Sequence, residues 1–168
     1  SRNAIELEVD TDGIFVPKGW VTNVTVRENT VRDVGLNYFA GDHPAGIRVH
    51  HLPRPGISTN GRPNQNITIA DNQIEHTAGS GIEVEAAKDV DVTNNDLRDL
   101  NNLSYPPGDY GMLFSKVNDV SVTGNTVASS ADRLEAFGWQ LQSSGIELSK
   151  NELLIDGSSS TVDIDKGQ

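Results

Sequence analysis

The chain contains no cysteine and few basic residues. Without cysteine it can have neither a disulfide framework nor a thiolate metal site. Its 13 Lys and Arg residues face 24 Asp and Glu residues, which gives a formal net charge of -11 at pH 7. The basic residues do not cluster, whereas binding to nucleic acid needs clustered Lys and Arg. No apolar run approaches the ~18 residues of a membrane span. We therefore expect an acidic globular domain that neither binds nucleic acid nor spans a membrane.

Aromatic residues are also scarce, at 5% of the chain, whereas asparagine is abundant, with 15 copies. Five of these asparagines fall in a repeated pattern, apolar-x-apolar-x-x-Asn-x-apolar, at residues 24–31, 67–74, 90–97, 120–127 and 146–153. The alternation before each asparagine predicts a half-buried β-strand. Asparagine tolerates left-handed backbone angles, so we expect it to bend the chain into a second, short strand.

A further alternating stretch, usually opened by glycine, precedes each copy of the pattern. These stretches lie at residues 4–8, 46–50, 81–85, 111–115 and 138–142, and residues 161–165 begin a sixth. Repeats of this kind predict a solenoid, in which equivalent positions of successive coils stack on one another. An antiparallel sandwich is the competing interpretation, and it requires hairpin signals of the Asn-Gly type between strands. The pair Asn60 and Gly61 lies instead in a proline-rich loop.

The repeat resembles the right-handed parallel β-helix of the pectin-lyase-like superfamily. The repeated asparagines look like that family's internal ladder, in which stacked side-chain amides hydrogen-bond from coil to coil. The resemblance covers nearly all of residues 4–165 and implies an all-β, right-handed parallel β-helix solenoid of about five coils. It implies a single domain over residues 1–168. It does not settle the activity, because the fold hosts polysaccharide lyases, glycosidases, epimerases, tailspikes and non-catalytic adhesins.

Two outward-facing columns of side chains are predicted along the first strand of each coil. Alternation places the apolar side chains, including Trp139, inward. The first outward column runs Glu6, Arg48, Glu83, Leu113, Gln140 and Asp163. The second runs Glu8, His50, Glu85, Ser115, Gln142 and Asp165. The charged half of this face belongs to the first three coils, which the longest loops also flank.

The charged columns supply candidate catalytic residues, namely Glu85, His50, Glu83, Arg48 and Glu8, with Asp42 leaning in from a loop. Glu8 and Glu85 lie two coils apart, roughly 9.6 Å at ~4.8 Å per coil, near the separation of about 6.5–9.5 Å in inverting glycosidases. For elimination or epimerisation, Arg48 would neutralise a uronate carboxylate and His50 would abstract the adjacent proton. A purely structural alternative is that both columns are charge-paired ladders on a solvated sheet.

Four aromatic residues are candidate sugar platforms, because flat side chains stack on sugar rings: Trp20, Tyr38, Tyr105 and Tyr110. No cofactor is required, although nearby carboxylates could hold Ca²⁺ through oxygen ligands, and no dedicated metal site is predicted. In the resembled family, polysaccharide usually lies in the groove over the first sheet.

The sequence thus predicts a secreted or cell-surface, carbohydrate-active enzyme that cleaves a polysaccharide or oligosaccharide, with hydrolysis preferred over β-elimination. The alternative is a non-catalytic structural or glycan-recognition β-helix, such as a tailspike, adhesin or surface-protein segment. A β-solenoid with uncovered ends is a template for aggregation. We therefore expect the 168 residues to be part of a longer chain, or missing coils or another subunit to cover the ends of the helix.

Overall fold

Every element of regular structure in the described part of the chain is a β-strand. The computed structural model describes residues 4–9, 21–35, 44–51, 64–100, 110–129, 135–140, 143–155 and 158–164. The strands are β1 (Ile5–Val9), β2 (Thr22–Arg27), β3 (Thr30–Val34), β4 (Ala45–His51), β5 (Asn64–Ala70), β6 (Gln73–Thr77), β7 (Ser80–Glu85), β8 (Ala87–Thr93), β9 (Asp96–Arg98), β10 (Tyr110–Ser115), β11 (Asn118–Thr123), β12 (Thr126–Ser129), β13 (Glu135–Gln140), β14 (Ser144–Ile155) and β15 (Ser158–Ile164).

The first sheet consists of β1, β4, β7, β10 and β13 in that order, and all its neighbouring strands are parallel. Its neighbours lie three strands apart in sequence, because the chain makes a full coil before it returns to the sheet. Ile47, Ile82 and Met112 occupy equivalent positions in β4, β7 and β10. All three are fully buried, which confirms the predicted inward set of these strands.

Two further parallel stacks complete the solenoid. The second contains β2, β5, β8, β11 and β14, and the third contains β3, β6, β9, β12 and again β14. β14 is 12 residues long and belongs to both stacks. Valine, isoleucine and leucine side chains from all three stacks meet in one core. A parallel β-helix is therefore confirmed, whereas the number of about five coils stays a prediction.

A continuous ladder of buried asparagines runs through the core. The Nδ2 groups of Asn29, Asn72, Asn95 and Asn125 each donate to the Oδ1 of the next ladder asparagine at 2.9–3.0 Å, and the ladder ends at Asn151. The backbone amides of the same four residues donate to the same oxygens at 2.8–3.0 Å. The second Nδ2 hydrogen of Asn72 reaches the carbonyl of Val26, and the later ladder residues repeat this contact. The predicted ladder is confirmed; Asn29 at its start is half-buried, and the other four asparagines are buried with their side-chain amides hydrogen-bonded.

The left-handed bend lies one residue before the position that we predicted. The residues with positive φ are those preceding the ladder asparagines: Glu28, Asp71, Asn94, Gly124 and Lys150. The ladder asparagines are not among them, because their side chains are held in the core by their neighbours. The exposed preceding residue absorbs the strain of the bend instead. A second set of left-handed residues lies at one register position of the second stack: Asn23, Asn66, Asp89, Asp119 and Gly145.

Glycine is the second residue of β4 and of β7, because core side chains of the third stack approach the backbone closely at this position. A Cβ on Gly46 would lie 2.5 Å from Cγ2 of Ile74 and 2.8 Å from the carbonyl oxygen of Gly81. A Cβ on Gly81 would lie 2.4 Å from Cδ2 of Leu97. All three distances are shorter than van der Waals contact. A larger residue at either glycine would therefore displace packed core atoms.

The register that we predicted for the fifth first-sheet strand is wrong by two residues. β13 starts at Glu135, and its Phe137 pairs with Met112, so that Trp139 pairs with Phe114. Gly138 therefore occupies the first outward column and Gln140 the second, where Gln142 was predicted. The prediction aligned Gly138 with the glycines of the other strands. In β13, however, Ala136 occupies the position that Gly111 has in β10.

The C-terminal strand is antiparallel, so the predicted sixth coil at residues 161–165 is wrong. β15 folds back on β14, with Ile155 opposite Ser158 and Leu148 opposite Ile164. It occupies the β14 edge that does not contact β11 or β12, so β14 has neighbours on both sides. Asp163 therefore does not extend the first column of the first sheet, and Asp165 lies outside the described residues. The expectation that more coils or another subunit cover the ends stays a prediction.

Replacement of Asn125 by alanine tests the ladder. Asn125→Ala removes the acceptor of two donors from Asn95 and the donor to the Val92 carbonyl, all buried. Because each buried group that loses its partner costs about 1–3 kcal/mol, we expect a loss of about 3 kcal/mol or more in unfolding free energy. The measurement is urea denaturation followed by circular dichroism. The control is Asn118→Ala, whose side chain is half-buried and bonds an exposed Ser144 hydroxyl. Equal losses in both variants would contradict a structural role for the ladder.

Candidate functional site

The candidate site is the outer surface of the first sheet at β4 and β7. It comprises Arg48, His50, Glu83 and Glu85 with the adjacent Lys116, and we call these five residues the charged face. Val49 and Val84 are fully buried in the core, and strand alternation turns their neighbours to the opposite side. Parallel register then places Arg48 beside Glu83. The fold therefore brings together four of the predicted site residues.

Arg48 and Glu83 form an ion pair across β4 and β7. The Nη2 of Arg48 lies 3.2 Å from Oε1 of Glu83, with side-chain exposures of 20% and 10%. Such burial is unusual for charges on the outer surface of a sheet, where side chains are normally solvated. Glu6 is the register partner of Arg48 on β1, although the structure describes only its backbone. The predicted Glu6–Arg48–Glu83 column is thus present in the backbone register.

His50 is the most deeply buried member of the charged face, at 3% exposure. It pairs in register with Glu8 of β1. Val49 pairs with Val84. His50 and Glu85 are the next residues of these two parallel strands, so they lie opposite each other. The predicted Glu8–His50–Glu85 column is therefore present in the backbone, while the side chain of Glu8 lies outside the described residues. Histidine is the side chain most often used as a general acid or base in catalysis, which makes this position a candidate for acid–base chemistry.

Glu85 forms an ion pair that the sequence did not predict. The Nζ of Lys116 lies 2.9 Å from its Oε1, with side-chain exposures of 41% for Lys116 and 23% for Glu85. Lys116 follows β10 at a corner with φ of 53°, and Ala86 occupies the matching corner after β7 with the same φ. The lysine side chain reaches back across one coil. The sequence feature that could have revealed this ion pair is the position of Lys116. It directly follows Ser115, which lies beside Glu85 in the second column.

The corner beside Glu85 is also held by a buried asparagine. Asn64 begins β5 and is fully buried, and its Nδ2 donates to the carbonyl of Glu85 at 3.4 Å. Its backbone amide donates to the carbonyl of Ala86 at 3.2 Å. These contacts fix the backbone at Glu85 and Ala86. The fixed backbone in turn restricts the positions that the Glu85 carboxylate can take.

The remaining predicted residues are tested only in part. Tyr110 begins β10, pairs in register with Glu135 of β13 and is half-buried. Asp42, Trp20, Tyr38 and Tyr105 lie outside the described residues, so their roles stay predictions. Among the residues that the structure does describe, no group of three or more His, Asp or Glu side chains is placed to hold a metal ion. Binding of Ca²⁺ that involves Asp42 or Glu8 stays a prediction.

A shallow groove of about 290 Å³ lies on the second stack, away from the charged face. Its lining is polar and acidic: Asn66, Thr68, Asp89, Val90, Asp91 and Asp119. It contains no histidine and no aromatic side chain. The combination of paired charges, histidine and burial is found on the charged face instead.

In the described ranges, no helix is long and apolar enough to cross a membrane.

Comparison with known proteins identifies a family but no individual relative. The family model described as "Right handed beta helix region" matches residues 2–163. This match agrees with the parallel stacks and supports the predicted handedness. Neither the curated proteins nor the solved structures gave a match.

The Arg48–Glu83 pair should contribute more to stability than an exposed ion pair. Arg48→Met leaves the Glu83 carboxylate, at 10% side-chain exposure, without the guanidinium charge, and breaking a buried pair is costly. We expect a loss of about 2 kcal/mol or more in unfolding free energy, measured by urea denaturation. Arg32→Met is the matched control, because the Arg32–Glu75 pair has exposures of 56% and 26% and should contribute below about 1 kcal/mol.

A double variant separates charge from packing in this prediction. Adding Glu83→Gln to Arg48→Met removes the carboxylate that lost its partner, so part of the stability should return. The explanation by charge pairing is wrong if the double variant is as unstable as the sum of the two single variants.

Proposed function

Because the chain belongs to the right-handed β-helix family, we propose that it is a carbohydrate-active enzyme that cleaves a polysaccharide or oligosaccharide across its charged face. The observation that carries this proposal is the burial of ionisable groups on the outer side of a sheet. His50 is 3% exposed and Glu83 is 8% exposed. Burying ionisable groups is unfavourable unless they are paired, and clusters of them are frequent at active sites.

The geometry of the carboxylates suits hydrolysis. Glu83 and Glu85 are two residues apart on one face of β7, which corresponds to roughly 6.6 Å along the strand. Glu8 lies two strands from Glu85, roughly 9.6 Å away. Inverting glycosidases hold their carboxyl groups about 6.5–9.5 Å apart, so that a water molecule fits between one carboxylate and the sugar. Both pairs therefore leave room for the attacking water.

We assign roles according to the contacts of each residue. Glu85 is the general base, because its contact with the Lys116 ammonium group at 2.9 Å and the Asn64 hydrogen bond to its backbone carbonyl hold it in a defined position. Glu8, two strands away, is the general acid that protonates the leaving oxygen, and His50, between Glu8 and Glu85, is an additional candidate acid. Arg48 and Glu83 position the sugar. Trp20, Tyr38, Tyr105 and Tyr110 are proposed as stacking surfaces, with Asp42 as a further carboxylate from the loop.

Hydrolysis is preferred over β-elimination, since elimination needs a cation to neutralise the uronate carboxylate while the chain carries a net charge of -11. A location outside the cell or on its surface follows from the proposal, because large polysaccharides are found there. A pectin-lyase-like activity would use the same residues, with His50 as the base.

A non-catalytic glycan-recognition or structural β-helix is the second candidate function. The specific observation in its favour is that both described glutamates of the charged face lie in ion pairs, with Arg48 and with Lys116. Charge pairs between adjacent strands support a sheet without any catalytic role. This candidate predicts glycan binding or no binding, and in either case no cleavage.

A polysaccharide screen tests the enzymatic proposal. Neutral and uronic polysaccharides are incubated with the protein, and new reducing ends and the ultraviolet absorbance of unsaturated uronates are measured. Reducing ends without absorbance support hydrolysis, and both signals together support elimination. Glu85→Gln should then lower kcat by about 10²–10⁴-fold, because a general base contributes that much.

Glu152→Gln is the control for Glu85→Gln. Glu152 is exposed and lies in the third stack, so the same change of charge there should leave kcat unaltered. Activity that survives in both Glu85→Gln and His50→Ala would refute the proposed site. Absence of cleavage across the whole panel would favour the non-catalytic candidate.

A further inference from the structure

The two cations of the charged face are both engaged by carboxylates of the same face. Arg48 lies 3.2 Å from Glu83, and Lys116 lies 2.9 Å from Glu85. The formal charges of these four residues sum to zero. Their register neighbours on β10, Leu113 and Ser115, are uncharged. On β1 the register neighbours Glu6 and Glu8 add negative charge. The face therefore has no surplus of positive charge.

From this pairing we propose that the charged face takes an uncharged glycan and discriminates against uronate polymers, and that Lys116 is a specificity-determining residue. The inference rests on the function proposed above. A uronate carboxylate could approach Arg48 or Lys116 only next to Glu83 or Glu85, and like charges at that distance repel. It would also compete with partners that are largely removed from water, since the side chain of Glu83 is 10% exposed and that of Glu85 is 23% exposed.

Sugar hydroxyl groups fit the same arrangement without competition. A hydroxyl can donate to a carboxylate oxygen and accept from an ammonium or guanidinium hydrogen at the same time. A lysine ammonium carries three donors and a carboxylate has two acceptor oxygens, so each of these groups can contact more than one partner. Ion-paired carboxylates and cations thus offer a hydrogen-bonding surface for a polyhydroxylated, uncharged chain.

The Lys116–Glu85 pair allows uronate binding to be strengthened or weakened by a single substitution. Loss of Glu85 removes a negative charge, and loss of Lys116 removes a positive one. The side chain of Lys116 is 41% exposed, so a ligand on this face can approach it. With Glu85 present, the pair is neutral towards an incoming sugar. Without the Glu85 carboxylate, the face loses one negative charge beside the ammonium and should repel a uronate less.

Binding measurements with matched oligosaccharides test the proposal. Neutral oligosaccharides of the cellulose, xylan and mannan types and oligouronates of the pectin and alginate types, equal in length, are titrated by calorimetry at low and high salt. The protein should bind at least one neutral ligand more than about tenfold more tightly than any oligouronate. Neutral binding should change little with salt, because it involves no net charge.

Three variants assign the discrimination to the Lys116–Glu85 pair. Glu85→Gln should tighten oligouronate binding by about tenfold, because one repulsive charge is lost. Lys116→Gln should weaken oligouronate binding further, because the ammonium that offsets Glu85 is lost. Glu152→Gln has the same net charge as Glu85→Gln but lies in the third stack, so its binding ratio should equal that of the unaltered protein. Thermal melts confirm that each variant is folded.

The outcomes separate this inference from the function on which it rests. Oligouronate binding equal to or tighter than neutral binding in the unaltered protein overturns the inference and leaves a carbohydrate-binding face. The same shift in Glu85→Gln and Glu152→Gln shows that overall charge, rather than Lys116, sets the preference. If no glycan of either class binds, the proposed function and the inference both fail.

Discussion

The hydrogen bonds between stacked asparagines are the constraint on which the rest of the structure depends. From Asn72 onwards, each ladder Oδ1 accepts both a backbone and a side-chain N–H from the asparagine of the preceding coil. A shift of one residue in any strand would bury the wrong side chains and would also leave these donors without acceptors in the core. Register is therefore specified twice, by apolar alternation and by the amides. The charged face depends on that register, because Arg48 meets Glu83 only when β4 and β7 pair as they do.

The bends that let the chain turn between stacks use exposed residues with positive φ. Glu28, Asp71 and Lys150 take this conformation although it is costly for residues with a Cβ. The ladder asparagines that follow these three residues are each held by at least three hydrogen bonds. The positive φ therefore falls on the preceding residue, whose side chain is exposed. The same division applies at the corner after β10, where Lys116 bends the chain and projects its side chain towards Glu85. A bend imposed by the fold thus supplies one of the charges of the candidate site.

The strands, the ladder and most of the charged face could be predicted from the sequence, because each depends on local alternation repeated at stacked positions. Lys116 could not be found in this way, since its contact with Glu85 joins a corner residue to the neighbouring coil rather than two residues of one column. The register of β13 was missed because Ala136 replaces the glycine that opens other first-sheet strands. The antiparallel β15 did have a signal. Asp156 and Gly157 stand between Ile155 and Ser158, and an Asp-Gly pair favours a two-residue hairpin turn.

The ion pairs of the charged face join different coils, and this has a consequence for both candidate functions. Arg48 of β4 holds Glu83 of β7, and Lys116 after β10 holds Glu85 of β7, so β7 is tied on both sides through the carboxylates proposed to bind sugar. In a purely structural β-helix these contacts would only hold successive coils together. In an enzyme the same contacts hold Glu85 in place before substrate arrives, and such positioning favours general-base catalysis. Stability alone therefore cannot separate the two functions, whereas catalysis and charge preference can, because only they depend on what the paired groups present to a ligand.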